Sequence, residues 1–290
     1  MRALRLIFSG NAGSPAGANA ARERQLLGIF WLVALLAWAA ITILAWHSER
    51  SLGKSSALTG YALFAVVLGL GFLKVRKRLL VLPIGTVRRW MLGHVVLGVM
   101  GVLLYFQHTG SIWPHGLYEQ AIAAVFYVVS LSGLVGYVLQ RILPHRLVDL
   151  EGEVIFERIP AEIAALREEI ETLILRAVTE LRSDTLGRYY TESLEWFFWK
   201  PRFLAGHLVG SGRSAGWIRG RITALRRYLN DGEREYLARI EEIALRKSRL
   251  DAHYALQGVL KIWLFIHVPA SVLLILLACW HLLVVNIYTR

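Results

Sequence analysis

The chain has a single cysteine in 290 residues. One thiol excludes an internal disulfide, a thiolate metal cluster and a C-x-x-C-H attachment motif, and Cys279 reads as a small apolar filler. Acidic residues are scarce in the apolar parts. Outside the stretch from His145 to Gln257 only Glu23, Glu49 and Glu119 occur, against 15 Lys and Arg. No apolar run therefore carries paired carboxylates for acid–base work. A dinucleotide or phosphate loop is missing too, because GSGRSAG at 210–216 lacks the preceding strand and the Lys-Ser/Thr pair.

What the chain has in quantity is apolar length. Hydrophobic residues make up 56% of it, and five runs are long enough to cross a hydrocarbon core about 30 Å thick. They cover Leu26 to Trp46, Ala57 to Leu73, Arg89 to Gly110, Gln120 to Ile142 and Val259 to Tyr288. The expected fold class is all-α: a bundle of about five transmembrane helices with a helical cytoplasmic domain inserted before the last. In chain order this gives a cytoplasmic tail at 1–25, a four-helix membrane region at 26–142, the domain at 143–257 and the fifth span at 258–290. The tail's apolar core is too weak for a signal peptide.

The net charge of +12 does not point to nucleic acid, since the stretch from His145 to Gln257 balances 18 basic against 18 acidic residues. The excess belongs to the membrane-associated remainder. There it falls mostly on one side of the five spans, above all in KVRKRLLVLPIGTVRR at 74–89, and the positive-inside bias makes that side cytoplasmic. The expected location is a bacterial inner membrane with the N-terminus in the cytoplasm and lipid as a constant partner.

Within the domain, Pro160 precedes a helix expected over about 161–182, and Asp231 is expected to cap a second long helix that runs on into the last span. Trp196, Phe197, Phe198 and Trp199 are expected either to pack into the domain or to dip into the membrane interface.

Four histidines interrupt the apolar runs. His94 and His108 lie on the third, and His267 and His281 on the fifth, each pair fourteen residues apart. Fourteen residues turn a helix through about 1400°, roughly 40° short of four full turns, so each pair shares one face with its rings about 21 Å apart. An imidazole inside a membrane is costly without a partner and marks a functional site by default. The third and fifth spans run in the same direction, which matches His94 with His267 and His108 with His281. Neutral imidazole is a normal axial ligand of haem iron, and two facing helices can hold two irons in this way. Without C-x-x-C-H any haem is b-type.

Gly98 and Gly101 between the first two histidines offer a surface that a flat macrocycle can approach, and Arg88 and Arg89 lie within reach of propionates. Pro269 is expected to bend the last span. His47 and His115 read as solvated loop residues. His207 and His253 lack metal-ligand spacing.

Two helices carrying H-x13-H, together with RRWMLGHVVLGVMGVLLYFQHTG at 88–110, resemble the di-haem membrane cytochromes of the ferric-reductase-like and cytochrome b561-like type. The chain departs from those families in its five spans, its large insertion and the absence of a flavin module. The resemblance implies transmembrane electron transfer through two bis-histidine b haems, as the cytochrome b subunit of a membrane redox complex. A redox protein or quinone would exchange electrons on the cytoplasmic side, and a separate donor or acceptor on the outer side. One alternative is a quinone-reactive membrane anchor with quinone as a further cofactor. The other is a haem-free scaffold or metal transporter.

Overall fold

The computed structural model describes residues 15–50, 55–78, 86–150 and 152–288. The described residues are helical or in turns, and no strand occurs among them. Contacts divide the chain into two compact units. One comprises the chain up to Val135 together with Ile266 onward, and the other is Gly136–Phe265.

The first unit is built from α1 (Pro15–Arg50), α2 (Ser55–Arg78), α3 (Val87–Thr109), most of the apolar part of α4 (Leu117–Val148) and the last part of α10 (Asp231–Tyr288). Four of these helices are long and apolar enough to cross a membrane, whereas α2 has a shorter apolar stretch, Ser56–Phe72. Their apolar side chains do not face inward as they would in a soluble protein. On α1, Leu32, Leu36 and Ile43 are 57%, 61% and 64% exposed. Such a continuous apolar surface is stable only against another apolar phase.

Helix α3 has defined ends. The Thr86 hydroxyl accepts from the Arg89 N–H at 3.4 Å, and Gly110 takes the left-handed conformation at φ 62°, so that its N–H reaches the Phe106 carbonyl. Helices α1, α2 and α3 pack on one another. A core of Val67, Tyr105, Ala123, Phe126 and Leu274 draws α2, α3, α4 and α10 together, with the Tyr105 and Phe126 rings stacked at 4.2 Å. Polar ties supplement it. The Tyr61 hydroxyl donates to Asn286 Oδ1 at 2.7 Å, the Tyr118 hydroxyl to the Leu277 carbonyl at 2.9 Å, and Gln107 Nε2 to Thr42 Oγ1 at 3.2 Å. Helix α10 continues through Pro269.

The second unit has a soluble-type core. After a 3-10 turn at Phe156–Arg158, α5 (Ile159–Leu181) buries Ile159, Ile163, Leu166, Ile170, Ile174 and Ala177, a spacing of three and four that puts them on one face. Short helices follow: α6 (Thr185–Tyr189), a π-turn at Tyr190–Leu194, α7 (Glu195–Phe198), α8 (Leu204–Val209) and α9 (Arg213–Arg226). Phe197 and Phe198 are buried in this core, while Trp196 and Trp199 stay exposed. The aromatic quartet thus divides two in and two out.

The cap of α10 is Asn230 rather than Asp231. Asn230 Oδ1 accepts from the Glu233 N–H at 2.9 Å and Glu233 Oε2 accepts from the Asn230 N–H at 3.0 Å, a reciprocal box. Asp231 is the first helical residue. The Ser183 hydroxyl also donates to Glu233, and these bonds hold its carboxyl below the usual range. A lowered carboxyl stabilises the fold above its unfolded value, near 4.5, and that contribution disappears as the pH falls through the folded value. Glu233→Gln is expected to cost about 1 kcal/mol at neutral pH. In thermal unfolding followed by circular dichroism, the gap between variant and parent should close under acid conditions.

Candidate functional site

The first unit holds the four histidines of the long apolar helices. His94 and His108 project from α3, and His267 and His281 from α10. The imidazoles of His108 and His281 have their ring centres 6.4 Å apart with planes at 82°. His94 and His267 lie within electrostatic range of one another.

The hydrogen bonds decide which ring nitrogen is free. His108 Nδ1 is 3.0 Å from the Ser56 carbonyl oxygen and 3.4 Å from Thr59 Oγ1. A carbonyl only accepts, so Nδ1 carries the proton and Nε2 keeps its lone pair. His267 Nδ1 is 2.8 Å from Ser132 Oγ. That hydroxyl also donates to the Val129 carbonyl at 3.0 Å, which fixes its position beside the ring. His94 Nδ1 is buried with no hydrogen-bond partner. An oxygen that holds one ring nitrogen, as at His108 and His267, is the second-shell pattern of metal-ligating histidines. The His281 ring lies 6.1 Å from the Tyr118 ring, inclined by 27°.

Glycines give two of the rings room. A Cβ on Gly60 of α2 would stand 2.8 Å from His108 Cε1, and one on Gly133 of α4 would stand 3.6 Å from His267 Cε1. Gly98 and Gly101, expected to offer a surface to a macrocycle, do not face these rings. Gly98 has open space around its Cβ position, and Gly101 faces the Val66 side chain at 3.4 Å. The sequence signal for the ring-facing pair is a hydroxyl next to glycine inside an apolar helix, Thr59-Gly60 and Ser132-Gly133.

Among the other named residues, Arg89 is exposed on the first turn of α3, and the Arg88 side chain lies outside the described residues. His47, His115 and Glu119 are exposed. His253 is buried and His207 half-buried, both in the second unit, where burial lowers their pKa values.

Among the described residues no group of three or more His, Cys, Asp or Glu forms a metal site. The protein side chains alone thus supply at most two ligands at each level, too few for a structural zinc ion. They could hold a metal only in a group that supplies further donors of its own. An imidazole nitrogen binds a transition metal at about 2 Å, and its ring centre lies about 1 Å further on. Two imidazoles that would both bind one metal would have centres up to about 6 Å apart, close to the 6.4 Å between His108 and His281. The buried, unpartnered nitrogen of His94 fits the same use at the other level. No family model, curated protein or solved structure matches the chain.

Proposed function

We propose that the protein carries electrons across a membrane through two b-type haems, one held by His94 and His267 and the other by His108 and His281. The observation that carries the proposal is the placing of four histidines at two levels of one apolar bundle, with the His108 and His267 rings held through Nδ1 by oxygens on neighbouring helices and the His108 and His281 ring centres 6.4 Å apart. Five spans with the N-terminus inside give α3 and α10 the same direction, as this pairing requires.

A bis-imidazole haem iron supplies one-electron transfer without an open position for oxygen. The chain's own residues set its surroundings. The Ser56 carbonyl fixes the tautomer of His108, the Ser132 hydroxyl orients the ring of His267, Gly60 leaves space beside His108, and the apolar helices exclude water. The arginines at 88 and 89 suit propionates on the cytoplasmic side. The polar domain is the docking surface for a redox partner.

Ser132→Ala is expected to weaken retention of the inner haem by about 10–100-fold, read as haem lost during dilution into apo-myoglobin. The function itself is tested in vesicles with entrapped ferricyanide and external dithionite. The protein should bleach the ferricyanide many times faster than protein-free vesicles do, and equal rates would refute transmembrane transfer.

A crevice favours quinone reactivity as the second reading. It is an open groove of about 700 Å³ lined by Phe64, Cys279, Leu282, Leu283, Asn286 and Ile287. Oxidation of an added short-chain quinol by the reconstituted protein would select that reading.

A further inference from the structure

Charge in the polar domain is balanced overall but not locally. From Trp196 to Asn230 the chain carries seven basic residues and no acidic one. Lys200 and Arg213 are exposed, and neither forms an ion pair among the described residues. Apolar side chains are exposed beside them: Trp199 is 59%, Leu204 38% and Val209 81% exposed. An exposed cluster of this kind, basic and apolar together, is the composition of a membrane-surface segment.

Its anchorage places it. The Arg146 guanidinium donates to the carbonyls of His207 at 2.6 Å and of Leu208, and so grips the end of α8. Arg146 stands four residues beyond Ile142, where the fourth span ends, a rise of only about 6 Å. Lys247 Nζ, bonded to the Lys200 carbonyl at 2.8 Å, stands about 18 Å of helix before the last span begins at Val259. These bonds tie the stretch from 199 to 213 to the two helices that continue into the fourth and last spans.

We infer that residues 199–213 form a foot that seats this unit on an anionic lipid surface, with Trp199, Leu204 and Val209 entering the headgroup layer and Lys200 and Arg213 meeting lipid phosphates. This inference rests on the membrane reading proposed above.

The test uses the full chain in a Cys279→Ser background, spin-labelled at one of three introduced cysteines. Val209→Cys probes the foot. Tyr228→Cys is the matched control, since Tyr228 is 83% exposed but lies beside the start of α10, about 42 Å of helix before Val259. Leu36→Cys reports whether α1 is in lipid. Each is placed in nanodiscs of phosphatidylcholine with or without phosphatidylglycerol, and oxygen accessibility is compared with that of a nickel chelate.

In anionic discs the oxygen-to-nickel ratio at 209 should exceed that at 228 severalfold. It should fall when phosphatidylglycerol is omitted or when Lys200 and Arg213 are changed to Gln. Equal ratios at 209 and 228, with Leu36 in lipid, overturn the foot and leave the membrane reading intact. A ratio at 209 that ignores lipid charge overturns the anionic-lipid assignment. Water access at Leu36 overturns the membrane reading itself.

Discussion

His108→Gly is expected to lower the haem content of the purified protein from two per chain to one and to remove one component of the reduced spectrum. The His94 and His267 level lies about 21 Å away along α3 and should keep its haem. Added imidazole should restore the missing component, because the deleted side chain is replaced by the same nitrogen base in the same space. Gly60→Val should remove the same haem without replacing a ligand, since a Cβ there would stand 2.8 Å from His108 Cε1 and push that ring aside. The surviving haem reports that each variant has folded. Retention of both haems in His108→Gly would show that His108 is not a ligand.

The second large effect concerns Lys247 and Asp251, a turn apart on α10. Their side chains are wholly buried with Nζ and Oδ2 2.7 Å apart, and the ammonium also lies 4.1 Å from the centre of the Phe197 ring. Burial pushes the Asp251 carboxyl up to about 6, against the opposing pull of Lys247. Burial also lowers the lysine. Removing one partner leaves an uncompensated charge in an apolar core, so Lys247→Ala should cost about 3–5 kcal/mol. Replacing both residues by Met and Leu should recover most of that loss by the same reasoning.

The pH dependence has a definite sign. A carboxyl whose folded value is raised stabilises the fold when protonated, and that contribution is lost as the pH rises through about 6. The deficit of Lys247→Ala should therefore be larger above that value than below it. Unfolding in guanidinium at two pH values measures this, and a deficit under about 1 kcal/mol at both would contradict the buried pair.

Much of the architecture is legible in the sequence because it is periodic. Runs of apolar residues at helix length mark the long helices, and the fourteen-residue spacing of the histidines puts each pair on one face without any tertiary information. The course of α10 is legible for the same reason, as its charged half and its apolar half share one uninterrupted helical pattern. Less is legible where the outcome depends on how neighbouring helices register. Nothing in the α2 sequence alone tells that Ser56 and Gly60 meet His108, or that Ser132 and Gly133 on α4 meet His267. Gly98 and Gly101 attract attention because they share a helix with the ligand candidates, yet the glycines that face rings lie on the opposing helices. The cap of α10 shows a similar limit at short range. Asn and Asp are both good caps, and only the reciprocal bond with Glu233 selects Asn230. The π-turn at Tyr190–Leu194 has no sequence signature of its own.

The most direct test of the central claim is the reduced-minus-oxidised spectrum of the purified protein, combined with extraction and counting of its haem. The account predicts two b-type haems per chain, each released without a covalent bond. A protein that folds in the membrane and contains no haem would contradict it.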